Sequence, residues 1–360
     1  MWAIPGQCVN PAPYLVVLFQ AIHPITTGTT ENRSMTPPRK RLLWLLSFLI
    51  GTPLIWFVAV VWVTDPPIIT GEVIRDIPYK PGLTLDIYAP TVRTEGPVPV
   101  VVFIHGGAWI VGMKESINFN RVNGSINALR QAGYSIISID YTLASSDRPP
   151  FPACLEDAAD ALAWVVREAP SRGWDLENIG LFGESAGAHI AMMLAYAGPE
   201  SFAPDCPDFP IRYVVDIYGP NQLEGIYSMP MAETYHAFME ELPTSISSRI
   251  DLRNAIFGFN PEQDTLRAQR YMELYSPYLY VHPGVPPTLI IQGDQDHLVP
   301  VVQSTALHER LDSLGVENEI LILAGVDHGF IGATSEEKEK IQHMIVSFIT
   351  SHRHPLTDPK

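Results

Sequence analysis

The feature that most constrains the fold is an alternation of short apolar runs with helical patterns after residue 70. Six runs are continuously apolar, which is typical of parallel strands buried on both faces of a sheet. They lie at 99–105, 134–141, 178–183, 213–219, 287–293 and 318–325. Helical patterns lie between or after them at 117–132, 152–169, 186–197, 301–314 and 335–350. Because strand–helix–strand units form parallel crossovers, the pattern predicts an α/β fold with a mostly parallel, doubly wound sheet and helices on both faces.

Two further features accompany this sheet, a pair of short strands before it and an insertion between two of its strands. Alternating residues at 73–77 and 83–88 predict a pair of short strands joined by a turn at 80–82. Residues 220–286 interrupt the strand–helix alternation with a polar stretch of mixed helical signals, which is too long for a plain loop. We therefore predict one large domain, residues 66–360, with a helical cap insertion at about 220–286 that covers one end of the sheet.

A candidate nucleophile lies between a predicted strand and a predicted helix. Residues 183–187 read Gly-Glu-Ser-Ala-Gly and link the strand at 178–183 directly to the helix at 186–197. A strand–tight turn–helix arrangement of this kind holds its serine in a strained conformation with the hydroxyl exposed. The two glycines suit such a turn because they have no side chains. A glycine-rich turn with a capping serine is the alternative interpretation of Ser185.

A candidate oxyanion hole follows the strand at 99–105, where the sequence reads His-Gly-Gly-Ala-Trp. Paired glycines let the backbone approach a substrate carbonyl, and backbone N–H groups stabilise the oxyanion that develops there. We expect the amides of Gly106 and Gly107 to form this hole, with the amide of Ala186 as a third donor. His105 is a weak candidate for a base, because a histidine before such a loop more often fixes the loop by hydrogen bonds.

A serine hydroxyl is hardly ionised at neutral pH, so Ser185 requires a general base. The sequence Asp-His-Gly-Phe at 327–330 follows the last predicted strand, and His328 is the candidate. His189, one turn into the helix after Ser185, is expected to pack there instead. Six further histidines fall in loops, on predicted surfaces or near the C-terminus: His282, His297, His308, His343, His352 and His354.

The third member of such a site is an acid that orients the imidazole. Asp296 lies three residues after the glycine that ends the strand at 287–293, on the loop before the next helix. Asp294 is the alternative acid, or a residue that holds this loop. Asp327 is adjacent to His328 in sequence, which is poor geometry for accepting its Nδ1 proton. Ser185, Asp296 and His328 each follow a strand, where open α/β sheets place their sites, and they occur in the order Ser…Asp…His.

From about residue 70 to 350 the chain resembles an α/β-hydrolase, and more narrowly the esterase/lipase branch with hormone-sensitive-lipase-like and feruloyl-esterase-like carboxylesterases. The matching segments are HGGAW (105–109), DYTLASSDRPPFPACLEDAADALAWV (140–165), GESAG (183–187), SPYLYV (276–281), GDQDHLVP (293–300) and DHGF (327–330). The resemblance implies Ser185 as nucleophile, His328 as base and Asp296 as acid. The chain departs from many relatives at Ala108, where they have a third glycine, and in its N-terminal segment.

That segment, Leu42 to Thr64, contains no charged residue. As a helix its 23 residues would span about 34 Å, enough for a bilayer core of about 30 Å. A cleaved signal peptide is the alternative, but the run is longer than such a peptide requires and lacks a small-x-small site. Arg39, Lys40 and Arg41 precede it, so the positive-inside rule predicts a cytoplasmic N-terminus and a catalytic domain on the extracytoplasmic side. We expect a tail at 1–41, with Met35 as an alternative start, and a transmembrane helix at 42–64.

Composition excludes several function classes. The formal net charge of −16 argues against a nucleic-acid partner, which requires clustered Lys and Arg. No His/Cys cluster has metal-ligand spacing, so we expect neither metal nor cofactor. The sequence does not decide whether Cys154 and Cys206 form a disulfide.

Together, the candidate nucleophile, base, acid and oxyanion amides predict a serine carboxylic ester hydrolase that forms an acyl-enzyme from short- to medium-chain or lipid-associated esters. An amidase or peptidase on the same scaffold, or a catalytically silent binding module, are the alternatives.

Overall fold

In the computed structural model, which describes residues 71–118, 123–145, 148–224, 256–259, 261 and 263–355, eight strands form one sheet. They are β1 (Val73–Lys80), β2 (Leu83–Tyr88), β3 (Val98–Ile104), β4 (Ser135–Ile139), β5 (Trp174–Glu184), β6 (Ile211–Ile217), β7 (Thr288–Gly293) and β8 (Asn318–Leu323). Their order across the sheet is β1-β2-β4-β3-β5-β6-β7-β8. β2 pairs antiparallel with β1 and β4, and the remaining neighbours pair in parallel. The predicted mostly parallel sheet is thus confirmed.

Helices cover both faces of the sheet. In the described ranges they are α1 (Asn123–Gln131), α2 (Ala153–Arg172), α3 (Ala186–Ala197), α4 (Thr265–Leu274), α5 (Val301–Ser313) and α6 (Ser335–Ser351). Short 3₁₀ turns lie at Lys114–Asn118, Pro199–Ser201, Pro277–Tyr280 and His328–Phe330. Apolar side chains of α2, α3 and α5 form one buried cluster with one set of strand residues. Those of α1 and α6 form a second cluster with the alternate strand residues, because successive side chains of a strand point to opposite faces.

Three elements differ from their predicted bounds. α2 continues past the predicted end at 169 to Arg172, because Pro170 lies in its last turn and the helix ends only at Gly173, whose N–H donates to the Ala169 carbonyl. β5 begins at Trp174 rather than 178, since Trp174 pairs with Val98 and so extends the ladder with β3. The predicted helix at 117–132 is a 3₁₀ turn followed by α1, which begins at Asn123.

The predicted tail at 1–41, the predicted transmembrane helix at 42–64 and about half of the predicted cap, including 225–255, lie outside the described residues. Within the described ranges, no helix has the length and apolar character needed to cross a bilayer. The anchor therefore stays a prediction. The bounds of the cap at 220–286 also stay a prediction, and its described part contains α4 and the turn Pro277–Tyr280.

Cys154 and Cys206, whose pairing the sequence does not decide, are free thiols.

Candidate active site

Ser185 lies at the tight turn between β5 and α3, as its sequence context predicts. Its backbone has φ 50° and ψ −119°, a left-handed conformation that is strained for a residue with a side chain. The Ser185 N–H donates to the Ile217 carbonyl oxygen at 2.8 Å, and its own carbonyl accepts the N–H of His189 at 3.1 Å. These bonds to β6 and within α3 hold the turn and place Ser185 at the carboxyl edge of the sheet.

The two glycines of this turn are required by crowding. A Cβ atom at Gly183 would clash with the backbone of Gly187, and one at Gly187 would clash with the carbonyl oxygens of Ile104 and His105. The absence of both side chains therefore lets α3 begin directly against β3 and β5. This close approach brings the residue after β5 next to the loop after β3.

We expect Gly187→Ala to destabilise the fold strongly, by about 3 kcal/mol or more, because the added methyl group meets rigid backbone. Gly315→Ala is the matched control: that residue has φ +68° but open space around it, so only backbone strain of about 1 kcal/mol applies. Chemical unfolding of both variants measures the difference. Equal losses would show that crowding at Gly187 is unimportant.

His328 joins Ser185 to Asp296. The His328 Nε2 atom lies 3.1 Å from Ser185 Oγ, and its Nδ1 atom lies 2.8 Å from Asp296 Oδ2. Ser185 Oγ–H can therefore donate to Nε2 while Nδ1–H donates to the carboxylate. The three residues come from the ends of β5, β7 and β8, which meet at the same edge of the sheet.

The Asp296 carboxylate is buried but well supplied with donors. Its Oδ1 accepts the backbone N–H groups of Leu298 at 2.9 Å and Val299 at 2.8 Å, and Gln292 Nε2 lies 3.3 Å from Oδ2. Its side chain has no exposed surface, and buried polar oxygens require hydrogen-bond partners of this kind. The alternative acid, Asp294, instead accepts the N–H of Gly325 at 2.7 Å and so links the loops after β7 and β8.

Asp327, next to the candidate base, has a supporting position. Its Oδ1 accepts the N–H groups of His297 and His328, and its Oδ2 lies 3.0 Å from His297 Nδ1. Desolvation disfavours the charge, but the hydrogen bonds from these two residues outweigh it and hold the pKa of Asp327 below its usual value. Asp327 thereby fixes the backbone that carries His328.

Two other histidines of this region are buried, and burial disfavours their charged forms. Burial lowers the pKa of His105, whose Nδ1–H donates to the Gly106 carbonyl oxygen at 2.7 Å and whose ring stacks on Tyr141. Burial also lowers the pKa of His189 to about 4, and its Nε2–H donates to the Tyr275 carbonyl oxygen at 2.7 Å. His105 thus fixes the loop after β3, and His189 packs between Trp109 and Phe151.

The loop after β3 passes directly beside Ser185. A Cβ atom at Gly106 would lie 3.3 Å from the Ser185 Cβ, so only a glycine backbone approaches the serine this closely without contact strain. Gly107 has φ +117° and its carbonyl accepts the N–H groups of Ile110 and Val111 at 3.0 Å, which forms a tight turn. Ala108 follows with φ 51°. The structure therefore places Gly106 beside Ser185, with Gly107 next in the same loop and Ala186 directly after Ser185 at the start of α3.

Sequence reasoning missed one residue that contacts the site. The ring of Tyr218, directly after β6, lies 4.5 Å from the His328 ring between centroids. Its position in a strand-like run gave no local signal of a role in the site, although it lies at the same edge of the sheet as Ser185.

In the described part of the chain, no group of three or more His, Cys, Asp or Glu side chains has the arrangement of a metal site.

Known proteins are similar to this chain over most of its length. The BD-FAE family model matches residues 85–311, more than half of the chain. Esterase LipQ of Mycobacterium tuberculosis is 27% identical over 282 residues, which cover 76% of this chain but only 61% of LipQ. Ethyl acetate hydrolase of Pseudomonas putida is 27% identical over 259 residues, covering 70% and 73%. The structure of a hyperthermophilic esterase from Pyrobaculum calidifontis has the same fold, with a TM-score of 0.60, 24% identity and coverage of 88% and 98%. The chain therefore belongs to the BD-FAE family of α/β-hydrolases.

Proposed function

We propose that the protein is a serine carboxylic ester hydrolase that works through an acyl-enzyme. The observation that carries the proposal is the hydrogen-bond chain from Ser185 through His328 to Asp296. Family membership and the esterase names of the relatives support the same reaction class. In this proposal Ser185 is the nucleophile, His328 the general base and Asp296 the acid that orients it.

In the proposed reaction each of these residues has one role. Ser185 Oγ attacks the ester carbonyl carbon while His328 Nε2 takes its proton, and Asp296 stabilises the imidazolium through Nδ1–H. The amides of Gly106, Gly107 and Ala186 would donate to the oxyanion of the tetrahedral intermediate. His328 then gives the proton to the leaving alcohol, which leaves the acyl group on Ser185. Water, deprotonated by the same imidazole, attacks the acyl group and releases the carboxylic acid.

The proposed substrates are small-molecule esters with short- to medium-length acyl chains, or esters associated with lipid. The name of the ethyl acetate hydrolase relative favours a short acyl chain. If residues 42–64 form the predicted anchor, the catalytic domain would act on esters at the extracytoplasmic surface of a membrane. An amidase would use the same residues, but no relative described above carries an amidase name.

A paired substrate test separates these reactions. We expect the full-length protein to hydrolyse p-nitrophenyl acetate with a kcat/KM at least about 100-fold above that for p-nitroacetanilide, because the ester has the better leaving group. The two substrates share an acetyl group and a nitroaromatic chromophore, so the comparison isolates the bond that is broken. Equal or faster cleavage of the anilide would identify an amidase, and cleavage of neither would overturn the proposed esterase.

A further inference from the structure

We propose that Tyr218 is a positioning residue for the base of the reaction. In this proposal its ring holds the His328 imidazole between Ser185 and Asp296, and the face of the ring stabilises the imidazolium formed when Ser185 loses its proton. The inference rests on the proposed ester hydrolysis, and it adds a residue outside the nucleophile, base, acid and oxyanion amides.

The ring of Tyr218 contacts the imidazole of His328, the proposed base. The Tyr218 and His328 rings lie 4.5 Å apart between centroids at an interplanar angle of 54°. Phe330 packs edge-on against the other part of Tyr218 at 5.1 Å. The tyrosine is buried, with 6% of its surface exposed, so its side chain has little freedom to leave this position. The imidazole of His328 is thereby limited on the side that faces β6.

Tyr218 and the residue before it also contact the backbone and the neighbour of Ser185, the proposed nucleophile. Tyr218 Oη–H donates to Glu184 Oε1 at 2.7 Å, and Glu184 directly precedes Ser185. The carbonyl oxygen of Ile217, directly before Tyr218, accepts the Ser185 N–H at 2.8 Å. The end of β6 therefore holds the backbone of Ser185 and the ring of His328 at the same time. A shift of Tyr218 would change the distance between nucleophile and base.

The backbone of Tyr218 is strained at the point where its ring turns toward His328. Tyr218 has φ 44°, a conformation uncommon for a bulky residue. The turn persists because the Tyr218 N–H donates to the Ile291 carbonyl at 2.9 Å, and the buried Asp216 Oδ1 accepts the Gly219 N–H at 2.8 Å. Strained residues persist where the surrounding structure over-determines them, often at functional sites. Here the strain turns the aromatic ring from the strand toward His328.

The chemistry of the ring suits a transient cation. The face of an aromatic ring attracts a cation within about 6 Å of its centroid, and more strongly when water is excluded. Asp296 after β7 bonds to the His328 ring, and Asp327, which precedes His328, accepts its backbone N–H. Asp327 also pairs with His297, and Glu184 at the end of β5 is bonded to the Tyr218 hydroxyl. Tyr218 adds to these groups an uncharged aromatic surface that favours the imidazolium.

The test compares three substitutions at this position in the full-length protein. Tyr218→Leu removes the ring, and we expect kcat to fall about 30-fold with KM changed less than about 3-fold, which corresponds to about 2 kcal/mol in the transition state. The acidic limb of the pH profile for kcat/KM is expected to move to lower pH, because the imidazolium loses stabilisation. Tyr218→Phe keeps the ring and should restore kcat to within about 3-fold. Tyr218→Asn removes the ring but tolerates positive φ, so it serves if the leucine variant folds poorly.

A matched control is Tyr213→Leu, near the beginning of β6, whose ring packs against Phe348. It should lower the melting temperature without moving the pH profile. A second readout is independent of turnover: the titration of the His328 imidazole by NMR, assigned through its loss in His328→Gln. A lower titration midpoint in Tyr218→Leu or Tyr218→Asn supports the role. An unchanged midpoint in both overturns it, whereas loss of ester hydrolysis in the unsubstituted protein overturns only the proposed function.

Discussion

Replacing Ser185 with alanine is expected to lower kcat for p-nitrophenyl acetate on the order of 10⁶-fold. The substitution removes the oxygen atom that attacks the ester carbonyl carbon and carries the acyl group, and His328 then has no serine hydroxyl to deprotonate. The fold should persist, because the turn is held by backbone bonds from Ser185 to Ile217 and His189. Initial rates at saturating ester, together with thermal unfolding, measure both effects.

The matched control for this variant is Ser201→Ala. Ser201 is an exposed serine beyond the end of α3, and its hydroxyl donates to the Ala197 carbonyl oxygen. We expect its kcat to stay within about 2-fold of the unsubstituted protein. A Ser185→Ala protein that folds normally and keeps more than a tenth of the activity would exclude Ser185 as the nucleophile.

The second large effect is expected from Asp296→Asn, which should lower kcat about 10⁴-fold. The reason lies in how the carboxylate is bonded. Oδ1 accepts two backbone N–H groups, from Leu298 and Val299, so the amide oxygen of an asparagine must take that place. The NH₂ group then faces His328 Nδ1 and donates to it. This favours the tautomer with the proton on Nε2, which leaves His328 unable to accept the Ser185 proton.

Asp294→Asn is the control for the assignment of the acid. Its side-chain oxygen can still accept the Gly325 N–H, so we expect the link between the two loops to remain and kcat to change less than about 10-fold. Steady-state kinetics of both variants at neutral pH make the comparison. If the substitution at Asp294 removed activity and the one at Asp296 did not, the roles of the two aspartates would be exchanged.

Much of the site follows from the sequence because the fold is regular. Parallel strands end at the same edge of the sheet, so residues that directly follow three of them are brought together by topology alone. Ser185, Asp296 and His328 are recognisable for that reason, although they are separated by more than 140 residues between the first and the last.

The details that depend on tertiary contacts were not predictable. Tyr218 reaches His328 only because its backbone adopts positive φ, and no residue pattern in the strand indicates that turn. The donors to Asp296 come from the backbone of Leu298 and Val299, which any sequence could provide. The end of α2 is a different case, because the helix continues through Pro170 to the cap at Gly173, and that glycine is a local signal in the sequence.

The central claim is that Ser185 is a nucleophile activated by His328. The most direct measurement is reaction of the full-length protein with a fluorophosphonate, followed by peptide mass analysis. The account predicts one adduct per chain, on the peptide that contains Ser185, and a rate of labelling that falls at least about 100-fold in His328→Gln. A folded, ester-hydrolysing protein with no adduct on Ser185, or with labelling unchanged in His328→Gln, would contradict it.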